Sequence, residues 1–270
     1  MTKSNRSLER GLSLLDHLAR DGAAGLSDLA RAATLPKATA YRLLLTLTEA
    51  GWVHRRHNDG RYAAIAAGPA GESAQAAGAR AAQLSLPVLE ALTKRTGLAA
   101  DLTWVIEPGI LEVVESTRSR KLGGVDPEVA GFRPSLAFSA PGRALLAAAS
   151  EPMRQRHLQH LMRVDSPAER HAATSGQLTA EITRTAKRGY GIRAQGYWPQ
   201  SSDYGREPMD IAVALPARTG RIAGCLSLVW PAEEAAPEAM AKRHLAALRE
   251  AARQIAEFLA VARRSAAPAP

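Results

Sequence analysis

Lys37, Thr39, Tyr41 and Arg42 sit close together in the run LPKATAYRLLLTLTEAGWV, and no other part of the chain is as chemically loaded. Two cations, a hydroxyl and a phenol at this spacing suit the surface of a nucleic acid. Lysine and arginine neutralise phosphates or reach guanine O6 and N7. Threonine bonds a phosphate or touches a thymine methyl, and tyrosine bonds phosphate while lying against sugar. Downstream, Arg55, Arg56, His57 and Arg61 surround the turn signal Asn58-Asp59-Gly60, and upstream Lys3, Arg6 and Arg10 form a basic leader. The competing readings are an ordinary polar helix face and, for the basic leader, a disordered segment.

The surrounding pattern says what must hold these side chains. Ala40, Leu43, Leu44 and Leu47 recur at i, i+3, i+4 and i+7, which predicts a helix buried on that side with Lys37, Ala38, Thr39, Tyr41 and Arg42 opposite. Pro36 suits the first turn of that helix and Gly51 a left-handed cap at its end. Leu8, Leu12, Leu15 and Leu18 predict an earlier amphipathic helix stopped at Asp21-Gly22. Ser27 reads as the N-cap of a second helix carrying Leu29, Ala30 and Ala33, with Thr34-Leu35 as the turn. Trp52-Val53-His54 and Arg61-Tyr62 read as the paired strands of a basic hairpin. This is the order of a winged helix-turn-helix, which lays one helix in the major groove while its wing meets flanking phosphates.

Bulk properties set the frame. The 270 residues allow two domains, and an apolar fraction of 46% suffices for real cores. The net charge is +9; residues 1–80 carry 11 Lys/Arg against 7 Asp/Glu, and residues 81–270 carry 24 against 19, so the excess is denser at the N-terminal end. No run approaches the roughly 18 apolar residues of a membrane span. The polar start MTKSNRSLERG lacks an apolar signal core, and the single Cys225 excludes internal disulfides. A cytoplasmic protein that does not enter a membrane is the expectation. There is no G-x-S-x-G elbow, Walker loop, G-x-G-x-x-G or H-E-x-x-H, so no catalytic residue, metal site or cofactor is assigned and the chain is not read as an enzyme. His157 and His160, three apart on a predicted helix, read as a solvated face rather than metal ligands.

The segments SLERGLSLLDHLA and LSDLARAATLPKATAYRLLLTLTEAGWV resemble the winged-helix half of IclR-type bacterial transcription regulators, through the pattern L-P-K-S/T-T-x-x-R-L-L-x-T-L-x-x-x-G-Y/W-V/L. Two positions depart from it. Thr34 stands in place of a turn glycine, and Ala38 in place of a serine whose hydroxyl would bond phosphate. Later segments, SAPGRALLAAASEP, AKRGYGI and DIAVALPARTGRIAGCLSLVWP, are similar to the effector-binding half of the same family, so that the similarity covers roughly residues 7–264. The ending AKRHLAALREAARQIAEF and the GCLSLV strand look most like the branch that controls hydroxyphenylpropionate and related aromatic-acid catabolism.

The pattern of the larger part reads as helices over 84–96, 141–149, 152–162, 178–188 and 237–264, the last with Leu245, Leu248, Ile255, Leu259 and Ala262 on one face. Strands are read over 101–106, 110–115, 210–215 and 221–230, with a glycine-rich loop over 123–131 and a turn at Arg218-Thr219-Gly220. Strands mixed with flanking helices predict an α+β domain around an antiparallel sheet. The resemblance implies a GAF-like α/β effector-binding domain joined to the winged helix-turn-helix by a linker helix. The expected boundaries are 1–68 for the DNA-binding domain, 69–83 for the linker helix, 84–264 for the effector-binding domain and 265–270 for a disordered tail. DNA contacts are expected from Arg10, Lys37, Thr39, Tyr41, Arg42, Arg55, Arg56 and Arg61.

The resemblance also implies a small organic acid bound by Ser139, Ala140, Pro141, Gly142, Asp210 and Ser227. Backbone N–H groups at the start of the 141–149 helix can hold an anion. The acidic pair that usually follows the family's G-Y motif is replaced by Arg193-Ala194-Gln195-Gly196, and Val229 stands where some members have serine. Both changes, with Phe138, Tyr197 and Trp198 nearby in sequence, favour an aromatic carboxylate; core packing is the alternative for each ring. Asp210 would repel such a ligand unless it accepts a hydroxyl, pairs with Arg206 or points elsewhere. The expected partners are double-stranded DNA with a pseudo-palindromic operator, the organic acid, and a second copy in a homodimer or homotetramer built on the first helix and the linker. The alternatives are a ligand-free, sequence-tolerant DNA-binding protein and a regulator that responds to a short oxo-acid.

Overall fold

A computed structural model describes residues 5–57, 59–65, 74–119, 129–197, 206–216 and 222–265. The chain divides into two compact units, Met1–Gln83 and Leu84–Pro270.

In the smaller unit, α1 (Arg6–Asp21) is capped by Asn5, whose side chain accepts from the Ser7 and Leu8 N–H groups. Its buried residues are Gly11, Leu14 and Leu18, while Leu8 and Leu12 are 62% and 55% exposed. This corrects the predicted stripe: the face turned to α3 and β2 lies about a third of a turn from Leu8 and Leu12. α2 (Leu26–Ala32) starts one residue before Ser27, with Gly25 as its cap and no side-chain cap bond, so Ser27 lies in the first turn and caps nothing. α3 (Lys37–Glu49) follows a turn in which Thr34 adopts φ 53°, the one positive φ of a non-glycine residue among those described. Pro36 is the N-cap of α3, and Gly51 beyond its end is left-handed as expected.

β1 (Val53–Arg55) pairs antiparallel with β2 (Tyr62–Ala64), Val53 facing Ala64 and Arg55 facing Tyr62. Arg61 and Trp52 thus lie just outside the strands in which they were expected. Ala24 and Tyr62 exchange backbone bonds of 3.0 and 2.9 Å and tie the segment before α2 to the wing. One core of Leu14, Leu18, Leu29, Leu44, Val53 and Tyr62 unites the helices and the hairpin.

α4 (Ala74–Thr96) is one helix with Pro87 inside it, where a linker helix and a separate 84–96 helix had been expected. In the larger unit β3 (Ala99–Glu107), β4 (Ile110–Ser116), β5 (Gly191–Ile192), β6 (Pro208–Ala214) and β7 (Gly224–Pro231) form an antiparallel sheet ordered β4-β3-β7-β6-β5. α5 (Ala140–Ala148) lies on one face against β5, β6 and β7, backed by α8 (Gln177–Arg188). α9 (Pro237–Ser265) contacts β6 and β7. α6 (Glu151–Leu161) and α7 (Pro167–Thr174) connect α5 to α8, and α7 was not foreseen. The predicted 218–220 turn, most of the glycine-rich loop and the tail beyond Ser265 lie outside the described residues. An α+β arrangement with an antiparallel sheet, preceded by a helix-turn-helix unit, is what the strand and helix periodicities required.

Candidate functional site

In the smaller unit α3 buries Ala40 and Leu44 and half-buries Leu43 and Leu47. The 3.6-residue period then directs Lys37, Ala38, Tyr41 and Arg42 outward, all exposed, with Thr39 half-buried beside them. Arg10 is exposed on α1, and Lys3 lies outside the described residues. On the wing, Arg55 and Arg61 are exposed. Arg55 donates from Nε to the Gly60 carbonyl at 3.2 Å and lies 5.8 Å from the Tyr62 ring centre. Arg56 is different. It is buried, its Nη2 lies 3.0 Å from Asp59 Oδ2, and its backbone N–H donates to the Arg61 carbonyl. Asp59 Oδ1 also accepts the Arg61 N–H at 3.0 Å. Arg56 therefore shapes the wing from inside and is withdrawn from the set of phosphate contacts, because its charge is already spent on Asp59.

In the larger unit the resemblance put an anion at the start of α5, and the local bonding there closes on itself. Ser139 N-caps α5: its Oγ accepts the Gly142 N–H at 3.0 Å and its O–H donates to the Ser135 carbonyl at 2.5 Å. Ser139, Ala140, Pro141 and Gly142 are all buried. A side chain at Gly142 would strike the Ser135–Leu136 backbone, and one at Gly191 the Ala140 carbonyl. The S-x-P-G-R segment is thus a packing and capping device, with its hydroxyl and the Gly142 amide consumed internally. Arg143 completes it, donating to the carbonyls of Ala137 and Ile192, each at 2.9 Å.

The ligand-type groups collect elsewhere. Cys225 donates to the Pro141 carbonyl at 3.3 Å, and Ala212 belongs to the same apolar core as Ala140, Ala144 and Leu145, which fixes the α5 side of β6 and β7. Strand alternation then puts Ser227, Val229 and Asp210 on that side, and the register Asp101↔Ser227 and Thr103↔Cys225 adds two residues of β3. Ser227 Oγ and Thr103 Oγ1 are buried there with no hydrogen-bond partner among the described residues. Asp101 accepts from Ser116 Oγ at 2.7 Å and from Arg118 Nη2 at 2.6 Å, all three being buried. Asp210 does not pair with Arg206, whose Nη1 donates to Glu234 at 3.2 Å. It is bound by Arg193 Nε instead, both side chains buried. Arg193 also donates to the Tyr197 carbonyl at 3.3 Å and lies 5.6 Å from that ring. The Tyr197 hydroxyl accepts the Ser135 N–H at 2.8 Å, and its ring centre is 5.9 Å from that of Phe138, tilted by 39°. Burial pushes the Tyr197 phenol above its usual range.

Phe138, Tyr197 and Asp210 are thus brought together through Arg193, which the sequence flagged only as a departure. Trp198 lies outside the described residues. Asp101, Thr103, Ser116 and Arg118 were missed; the signal was alternation, since polar Asp101 and Thr103 occupy one face of an otherwise apolar strand. Among the described residues no cluster of three or more His, Cys, Asp or Glu can hold a metal, and no helix is long and apolar enough to cross a membrane.

Comparisons with known proteins agree with this two-part layout. Residues 7–57 match the IclR helix-turn-helix domain, and residues 76–257 match the bacterial transcriptional regulator IclR C-terminal domain. The chain is 28% identical over 192 residues to the transcriptional repressor IclR of Escherichia coli, covering 69% of this chain and 68% of that protein. It is 28% identical over 197 residues to the acetate operon repressor of Salmonella typhimurium, covering 71% and 70%. Among solved structures, an IclR homolog of Microbacterium hydrocarbonoxydans complexed with 4-hydroxybenzoate superposes with a TM-score of 0.52 at 24% identity, over 94% of this chain and 99% of that one. The IclR regulator of Alicyclobacillus acidocaldarius superposes with a TM-score of 0.53 at 19% identity, over 95% and 100%. A DNA-binding unit and a sheet-based unit, each matched by its own domain family, make the chain a member of the IclR family of DNA-binding transcriptional regulators rather than an enzyme.

Proposed function

We propose that the chain regulates transcription from a pseudo-palindromic operator as a homodimer in the cytoplasm, under the control of an aromatic carboxylate. Lys37, Thr39, Tyr41 and Arg42 read the major groove while Arg10, Arg55 and Arg61 hold phosphates. The effector's ring lies against Phe138 and Tyr197, its carboxylate turns to Arg193, and a ring hydroxyl meets Ser227. The observation that carries the effector class is the buried Arg193–Asp210 pair beneath two aromatic rings. Asp210 neutralises and aims Arg193 without removing its remaining donors, and an arginine held this way suits a planar carboxylate. The 4-hydroxybenzoate bound by one structurally similar family member supports the same chemistry. Effector acts on DNA only by favouring one placement of the two N-terminal units, and its coupling to operator is reciprocal.

The test is operator retardation with upstream fragments, titrated with hydroxybenzoates, hydroxyphenylpropionates and short oxo-acids. Hydroxylated aromatic acids change operator affinity and the short acids do not. Arg42→Ala weakens specific binding by about 1–3 kcal/mol if Arg42 reads a base. A response confined to glyoxylate- or pyruvate-sized acids, the chemistry suggested by the acetate operon repressor's name, overturns the aromatic assignment. Smeared footprints on any duplex would instead show sequence-tolerant binding.

A further inference from the structure

A cavity of about 350 Å³ opens where α5, α7 and α8 meet, and it includes none of the strand residues discussed above. Its walls are apolar at Phe138, Ala172 and Leu178 and charged at Arg143, Glu181 and Arg184. The charges do not balance. Glu181 alone faces three guanidinium groups, at 3.7 Å from Arg143, 2.8 Å from Arg184 and 2.6 Å from Arg188. Its carboxylate is saturated by the last two and by the Thr185 hydroxyl. Among the described residues no second carboxylate forms an ion pair with any of the three arginines, and the cavity wall itself carries Arg143 and Arg184 against Glu181 alone, a surplus of positive charge beside an apolar hollow. Burial lowers the Arg143 pKa, and Arg188 and Arg184 push the same way while Glu181 and, more weakly, Asp210 oppose them. Arg143 and Arg188 also brace the carbonyls of Ala137, Ile192 and Tyr190, whereas among the described residues Arg184 bonds only Glu181.

We propose that this cavity is a second small-molecule site, which takes an organic carboxylate carrying a compact apolar body. The carboxylate enters between Arg143 and Arg184, the latter 63% exposed and so open to an incoming ligand. The apolar body lies on Phe138, Leu178 and Ala172. A volume of this size belongs at the small end of ligand pockets, right for a single ring or a branched chain. The two sites share Phe138, but the proposal stands whether or not the sheet side of α5 holds the effector, since its charged groups, Arg143 and Arg184, and its other walls, Leu178 and Ala172, take no part in that reading.

The experiment is nuclear magnetic resonance of the labelled full chain titrated with benzoate and with the neutral isostere benzamide. Benzoate shifts the amides of Gln177–Arg188 saturably and benzamide does not. Arg184→Glu, at an exposed position, and Ala180→Trp, at the exposed rim, each weaken the α8 response by roughly tenfold or more. Ser227→Val on the opposite side of α5 leaves the α8 response intact. Thermal unfolding of each variant confirms that the fold survives. Benzoate shifts confined to β6 and β7, α8 shifts that persist in both cavity variants, or equal shifts from benzamide overturn the proposal. An operator response to aromatic acids without α8 shifts would remove this site and leave the proposed effector reading standing.

Discussion

Thr34 carries a strain that its side chain does nothing to relieve. At φ 53° a β-branched residue sits in the left-handed region, where Cβ crowds the following carbonyl at a cost of about 1–2 kcal/mol. The turn must adopt this shape, since the Thr34 and Leu35 N–H groups reach back to Arg31 and Ala30 at 3.1 and 2.8 Å and aim α3. Glycine relaxes the strain but adds freedom to the unfolded chain, which offsets about 0.5–1 kcal/mol. Thr34→Gly should therefore stabilise the N-terminal unit by about 0.5–1 kcal/mol in chemical unfolding, with operator affinity unchanged because the turn keeps its path. A less stable variant, or one that loses the operator, would show that the threonine hydroxyl has a use not apparent in the turn. At this scale residue type was legible and allegiance was not. Arg56 reads in sequence like Arg55, yet one hydrogen-bonded loop turns it inward to Asp59. Ser139 reads as an anion donor, yet an N-cap consumes it.

α6 shows how an element can be anchored by one neutral imidazole. His157 is buried and its Nδ1 accepts the Gly109 N–H at 2.8 Å, which pins the helix to the β3–β4 turn, where Gly109 at φ 88° passes against His160. The solvated face expected for this pair is corrected for His157. Burial holds its pKa below the usual histidine range, and His160 pushes the same way. The unfolded chain then takes up a proton near pH 6.5 that the folded chain refuses. Stability is full above that pH and falls as pH drops towards the depressed folded value, by at most about 1.4 kcal/mol per pH unit. Thermal unfolding between about pH 7.5 and 5 should show this slope, and His157→Gln, which keeps an acceptor but cannot titrate, should flatten it. Equal slopes would assign the acid sensitivity to another group. Long periodic elements such as α3, α8 and α9 were legible because each buries one stripe, and α5, buried on most of its circumference, was legible from its Pro-Gly start and apolar run. The two-residue β5 is too short for any period, and α7 packs only Ala172 fully. The small residues around 70–83 carried no stripe that would join them to the leucines after Leu84, so the continuity of α4 across Pro87 was not visible.

For the whole molecule the question is how one short recognition helix attains specificity. A single helix of this length can read only a few base pairs, and in the proposed homodimer two copies on a two-fold operator would multiply what one can discriminate. A symmetric pair needs a self-complementary apolar patch, and Leu8 and Leu12, one turn apart on α1, are left exposed by a core that uses Gly11, Leu14 and Leu18. Among the described residues of the N-terminal unit nothing covers these two large exposed leucines, and charged residues there would keep a monomer soluble at no structural cost. Leu8→Glu combined with Leu12→Glu should leave the unit folded, since neither side chain joins its core. Sedimentation should then show weakened association, and operator affinity should fall by roughly 100-fold or more as the second half-site becomes a separate binding event. Binding to a single half-site should be nearly unchanged, which separates lost pairing from a damaged recognition helix. If the double variant sediments as wild type and keeps its operator, the two-fold axis runs through other residues and α1 is not the dimer contact.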